Sequence, residues 1–180
     1  MQGTIAGLGT VFQLAFVPAD FDAGLRHWTE TMGVGPFFRI AHLPVDVAIF
    51  RGGAAAPLDI SVAIAYWGDT QIELIQPHDD TPSTYRAFIE SGQTGIHHVA
   101  IHPADKYAAA RLIESNGGTL EQELRMGDKR ALYYRLPGQG TYLELAEIAP
   151  DWQRAFDTMK AAAASWDGAD PLRPFPALSA

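Results

Sequence analysis

Apolar and polar residues alternate along this chain in two rhythms, and the switch between them occurs twice. Val11–Val17 (VFQLAFV) is a short apolar run of strand type, and Ile96–His102 (IHHVAIH) is another. Pro-Ala-Asp follows each one: the proline stops the strand, and Asp20 or Asp105 is placed to cap a helix. Helical spacing then runs to about Met32 and to about Asn116, ending at Gly33 and at Gly117–Gly118. Three strand-like runs come next in each case, roughly 37–42, 60–67 and 70–76, then 120–126, 131–136 and 141–148. The pattern predicts an α+β chain built as β-α-β-β-β twice, module 1 at about 11–76 and module 2 at about 96–148. Two helical stretches lie outside the modules: 82–91, with Tyr85, Phe88 and Ile89 on one face, and 151–165, with Trp152, Phe156 and Met159 at helical spacing. The proline-rich end of the chain, to residue 180, is expected to run extended over its own domain or over a partner subunit, or to stay partly ordered.

The two modules also match residue by residue. Phe12–Gly33 lies over His97–Gly118 at an offset of 85, with seven identities in 22 pairs, among them Ala15/Ala100, Pro18/Pro103 and Asp20/Asp105. Chance gives roughly one or two. Asp69–Gln76 lies over Gly140–Glu147 at an offset of 71, with Glu73/Glu144 and Leu74/Leu145 identical. The change of offset puts about fourteen extra residues in the middle of the first module. Phe50–Ile60, rich in glycine and alanine, reads there as a loop or a lengthened hairpin.

Strand alternation turns the duplication into candidate chemistry. Gln13, Ala15 and Val17 share a face, as do His98, Ala100 and His102, and the repeat lays Gln13 over His98. Glu73 shares a face with Ile75, Glu144 with Tyr142 and Ala146, and the repeat lays Glu73 over Glu144. A carboxylate in the middle of an apolar strand is costly unless something compensates it. A divalent cation held by Gln13, Glu73, His98 and Glu144 would do so, its two charges matched by two carboxylates. Nitrogen and oxygen donors without sulfur suit Zn²⁺, Mn²⁺, Fe²⁺, Co²⁺ or Ni²⁺. The plain alternatives are a hydrogen-bonded strand glutamine and strand glutamates facing solvent.

Composition narrows the classes. The 180 residues include no cysteine, which excludes a disulfide framework, a thiolate nucleophile and an iron–sulfur cluster. A formal charge of −8 argues against nucleic acid as a partner, since phosphate neutralisation needs a basic face. No apolar run of about 18 residues is present, and the first residues lack the pattern of a signal peptide, so a cytoplasmic location is expected with no membrane partner.

GIHHVAI, QIELIQP and TYLELAE, set in paired βαβββ modules, resemble the vicinal oxygen chelate superfamily of glyoxalases, methylmalonyl-CoA epimerases, bleomycin-resistance proteins and extradiol dioxygenases. The resemblance covers about Val11 to Ile148, and GIHHVAI is closest to the epimerase and glyoxalase-like branch. It implies a half-open eight-stranded barrel around a divalent metal, followed here by a C-terminal helix and tail over 151–180. Carried over by position, the ligands are Gln13, Glu73, His98 and Glu144. His98 is preferred to His97 because it aligns with Gln13 and precedes Val-Ala. The implied chemistry is proton transfer next to a metal-bound carbonyl of a small organic substrate, as in a lyase, isomerase or epimerase, with Glu144 or Glu73 as base. A homodimer is expected on the same ground. An iron-dependent dioxygenase and a non-catalytic small-molecule binder remain as alternatives. Phe37, Phe38, Tyr66, Trp67, Met126, Tyr133 and Tyr134 are candidates to line the pocket. Arg39, His42, His102 and Arg135 are candidates for anion or supporting contacts, while His27 and His78 are expected at the surface.

Overall fold

The computed structural model describes residues 3–127 and 129–178. After a short 3₁₀ turn at Ile5–Leu8, the first module runs β1 (Val11–Phe16), α1 (Phe21–Arg26), β2 (Phe37–Phe50), β3 (Ala56–Trp67) and β4 (Thr70–Pro77). A wider π-type turn, His27–Thr31, extends α1. The linking helix α2 (Thr84–Glu90) leads into β5 (Ile96–Ile101), α3 (Lys106–Ser115), β6 (Thr119–Met126), β7 (Lys129–Arg135) and β8 (Tyr142–Leu145). The chain continues through α4 (Pro150–Ala164) and a short strand β9 (Leu172–Pro174).

The aspartates after the two strand-stopping prolines act as caps. Asp20 accepts from Ala23 N at 2.9 Å, and Asp105 accepts from Tyr107 N and Ala108 N at 2.9 Å each. Each cap satisfies amide groups that the first helical turn leaves without partners.

The strands form a barrel in the order β3-β4-β1-β5-β8-β7-β6-β2, with β9 beside β2. The modules meet where β1 and β5 run antiparallel, and each first strand also pairs in parallel with the last strand of its own module. The fourteen-residue β2 carries the pairing all the way round. Its first part pairs with β3, and Val47–Phe50 pair with Arg125–Gln122 of β6. The extra residues of the first module are thus a lengthened hairpin, and the lengthening joins the two modules. Its turn is sharp, with Arg51 at φ 50° and Gly52 at φ 68°. The tail packs on its own chain, through Phe37–Arg39 of β2 pairing in parallel with Leu172–Pro174 of β9.

Alternation separates inside from outside. Leu14, Phe16, Ile72 and Leu74 face outward and pack with Phe21 and Trp28 on the α1 side. Leu143 and Leu145 face outward against Ala109 and Ile113 of α3. Their sequence neighbours, including Ala15, Ile75 and Tyr142, pack inside the barrel with Val62, Tyr85 and Tyr133. Phe156 and Met159 of α4 pack with Phe38 and Ile64. Burying each such large side chain contributes about 1.5–3 kcal/mol.

Candidate metal centre

Gln13, Glu73, His98 and Glu144 come from β1, β4, β5 and β8, the four strands where the modules meet. Two alanines make room for them. Ala15 is the register partner of both Glu73 and His98, and Ala100 is the partner of both Gln13 and Glu144. Both alanines are fully buried, so the four longer side chains converge over two small ones.

The point of convergence is His98 Nε2. Glu144 Oε2 lies 2.8 Å away, Gln13 Oε1 3.4 Å and Glu73 Oε2 3.6 Å. The Gln13 amide nitrogen donates to Gln71 Oε1 at 3.0 Å, which leaves its oxygen turned to the imidazole. His98 has no exposure, and Glu73 and Glu144 are 9% and 8% exposed. Burial pushes the Glu73 carboxyl up to about 7; His98 works against that rise and Glu144 adds to it. Two buried carboxylates facing one imidazole form a donor set that fits a divalent cation, which would remove the penalty that raises Glu73.

His97 takes part in a way that simple alternation misses. Phe16 pairs with Ile96 and Ala15 with His98, so His97 is the extra residue of a β-bulge. It is fully buried, and its Nδ1 lies 2.9 Å from His98 Nδ1. Burial, with His98 adding to it, holds His97 well below the usual histidine range, so it stays neutral. Were His98 Nε2 to serve as a ligand atom, the His98 proton would sit on Nδ1 and be donated to His97. Tyr133 stands edge-on to His98 at 5.1 Å between ring centroids, and its hydroxyl is hydrogen-bonded to that of Tyr85 at 2.8 Å. Burial, with Glu144 adding to it, pushes both phenols well above their usual range, so they remain protonated donors.

Above these groups is a cavity of about 350 Å³. Gln13, Glu73 and Glu144 form its polar floor, strand residues such as Ile60, Val62 and Leu124 its wall, and Trp152 and Phe156 of α4 a further apolar side. Of the aromatic and sulfur side chains singled out in the sequence, Met126 and Tyr133 line it. The others belong elsewhere. Phe37 packs on the α1 side, Phe38 packs with α4, and Tyr134 donates to Glu114 of α3. Tyr66 accepts from Gln71, and Trp67 is exposed beside Trp28. None of the four basic candidates lines the cavity. Arg39 donates to Ser61 and Gln76, Arg135 pairs with Glu121, and His102 contacts the Ala146 carbonyl.

The fourth, His42, forms a second cluster on the outside of the barrel with Asp59 and His78. Their ligand atoms lie within 4.8 Å of one another. His42 Nδ1 is 2.7 Å from Asp59 Oδ1, and the two imidazole rings are 4.9 Å apart. His78 is exposed, as its sequence context suggests, and its Nε2 lies 2.6 Å from Ser61 Oγ.

No curated protein matches this chain as a sequence relative. Among solved structures, the Mycobacterium tuberculosis methylmalonyl-CoA epimerase superposes with a TM-score of 0.54 at 22% identity, over 82% of this chain and 94% of its own. A variant of the Streptomyces coelicolor methylmalonyl-CoA epimerase bound to 2-nitronate-propionyl-CoA gives 0.54 at 21%, over 77% and 93%. A hypothetical protein from Bacillus halodurans C-125 gives 0.55 at 15%, over 77% and 94%. These likenesses concern the fold. Residues 12–134 match the family model of the glyoxalase/bleomycin resistance protein/dioxygenase superfamily, and the chain belongs to that superfamily.

Proposed function

We propose that this protein is a divalent-metal-dependent lyase, isomerase or epimerase of glyoxalase type, acting by proton transfer next to a carbonyl of a small organic substrate. The observation that carries the reading is the meeting of Gln13, Glu73 and Glu144 oxygens around His98 Nε2 at the floor of an apolar cavity. Those four residues would hold the cation. A divalent cation bound there supplies Lewis-acid polarisation of the carbonyl and stabilises charge developing on its oxygen.

The chain's own groups do the rest. Glu144 or Glu73 takes the proton from the carbon beside the carbonyl and returns it to the neighbouring carbon or the opposite face. Such general-base work is typically worth about 10²–10⁴-fold. Tyr85 and Tyr133, kept protonated, share one hydrogen bond, which leaves one hydroxyl proton to donate into the same space. The apolar wall keeps water from the carbon acid.

Metal analysis of purified protein tests the reading. Because the outer cluster can lodge an ion too, the background is His42→Ala/His78→Ala. One equivalent of Zn²⁺, Mn²⁺, Fe²⁺, Co²⁺ or Ni²⁺ is expected there, lost on adding His98→Ala. Solvent deuterium should enter 4-phenylbutan-2-one, a simple ketone, only with the loaded protein. A background protein that takes up none of these ions refutes the metal centre. Oxygen consumption in place of exchange would make the protein a dioxygenase.

A further inference from the structure

The mouth of the cavity carries chemistry of its own. Its charged lining residues above the floor are Asp46, Glu147 and Asp151, against Lys129. Glu147 is partly neutralised by Lys106 at 2.8 Å, and Asp46 accepts from Gly127 N at 2.8 Å. Among the described residues no arginine lines the cavity. Of the arginines that directly adjoin lining residues in sequence, Arg86 pairs with Asp80 at 2.5 Å, and Arg125 and Arg130 alternate outward and pair with Glu123 at 2.7 and 3.4 Å. The first turn of α4 reaches the mouth, but the amide groups it could offer an anion stand beside Asp151.

From these observations we infer that the substrate is an uncharged, mainly hydrocarbon carbonyl compound, and that the site rejects coenzyme A thioesters and other anionic substrates. This rests on the cavity being the substrate site. An acyl-CoA needs to place only its acyl end inside, so volume does not decide the matter; the mouth does. Phosphate recognition runs on arginine forks, lysine charge or free helix N-termini. Here Lys129 is the one such cation among the described lining residues, three carboxylates outnumber it, and a phosphate chain leaving the cavity would pass Asp46 and Asp151. Like charges so placed are a means of excluding a partner. The cavity volume lies at the small end of the range for ligand pockets, about 300–1,000 Å³, and its wall suits an aromatic or alicyclic body. Once the floor carboxylates hold a divalent cation their charges cancel, and the rim then sets the sign that an entering molecule meets.

A matched series tests this on the metal-loaded protein, with binding read by calorimetry and chemistry by solvent deuterium exchange. The probes are 4-phenylbutan-2-one, 4-(3-oxobutyl)benzoate, which adds a carboxylate at the far end of the same ketone, and methylmalonyl-CoA. The neutral ketone is expected to bind about tenfold or more tightly than the carboxylate, a difference of about 1.4 kcal/mol. Methylmalonyl-CoA is expected neither to bind measurably nor to exchange. The double variant Asp46→Asn/Asp151→Asn should narrow the gap between the two ketones several-fold. Equal binding of the two ketones, or turnover of methylmalonyl-CoA, overturns the inference. Exchange into the CoA ester would leave the proton-transfer reading standing while sinking this one. Tight binding of the neutral ketone without exchange would do the reverse.

Discussion

Two places in this molecule gather imidazole and carboxylate side chains, and their surroundings differ. Inside the barrel, His98 meets Glu73 and Glu144 with almost no exposure. Outside, His42 and Asp59 meet at 2.7 Å with side chains 69% and 44% exposed. The donor atoms are alike, yet only the inner set has a strained charge balance. Water screens and hydrates the outer groups, so their pairing contributes about 0–1 kcal/mol. The inner carboxylates have lost that hydration, and the Glu73 carboxyl rises to about 7 as a result. Burial, more than residue type, separates a site poised for chemistry from a solvated cluster.

The comparison breaks most directly at the proposed base. Glu144→Gln should slow deuterium exchange into 4-phenylbutan-2-one by about 10²–10⁴-fold. Asp59→Asn, which alters a carboxylate of the outer cluster in the same way, should leave the rate within about twofold. Full turnover in a Glu144→Gln protein that retains its metal would remove Glu144 from the base role and leave Glu73.

Stability of the metal-free protein sharpens the same contrast. The folded value for Glu73 is raised above the unfolded one, so its contribution is fully present below about 4.5 and is lost as pH rises through about 7. At about 1.4 kcal/mol per unit, the loss between pH 4.5 and pH 8 reaches about 3 kcal/mol. Urea unfolding of metal-free protein should show that decline, and Glu73→Gln should remove it while weakening metal uptake. Identical pH dependence in wild type and Glu73→Gln would mean that burial does not act on this carboxyl.

How far the sequence reveals these features depends on the range of the cause. Alternation and the repeat are local, and they put Gln13 over His98 and Glu73 over Glu144. The identity of Ala15 and Ala100 belongs to the same signal, though its meaning, room for four larger neighbours, shows only in the register. His97 escapes because a bulge breaks the period of two on which the face assignment rests. Tyr85 reads as one member of a packing stripe, since its partner Tyr133 lies 48 residues further along. Tyr133 and Tyr134 show another gap: alternation separates their faces without saying which lies inside. The barrel closure through β2 and β6, like the outer cluster drawn from β2, β3 and the residue after β4, depends on long-range pairing that no local pattern encodes.

A smaller effect is expected at His97. Replacing it by phenylalanine keeps a ring in the bulge but removes the acceptor for the His98 Nδ1 proton. Metal affinity should fall about 10–100-fold by calorimetry, the usual loss when a ligand's hydrogen-bond partner is deleted. His97→Asn, whose side-chain oxygen can accept the same proton, should recover most of it. A merely packing role for His97 would give the opposite order, with phenylalanine tolerated and asparagine costly.

The smallest effect belongs to the outer cluster and completes the comparison. In urea unfolding, His42→Ala/His78→Ala should change the unfolding free energy by no more than about 0.5 kcal/mol, as surface substitutions usually do. The reason lies in what each group leaves behind. Asp59 is partly exposed and can return to water when His42 is gone. Ser61 is buried, but its hydroxyl is still satisfied by the Ala41 carbonyl when His78 is removed. No polar group is stranded, in contrast to the inner set, where deleting His98 leaves two buried carboxylates facing each other. A loss above about 2 kcal/mol in the outer double variant would show instead that the pair holds the β2–β4 end of the barrel together, and solvation would no longer explain why the two clusters differ.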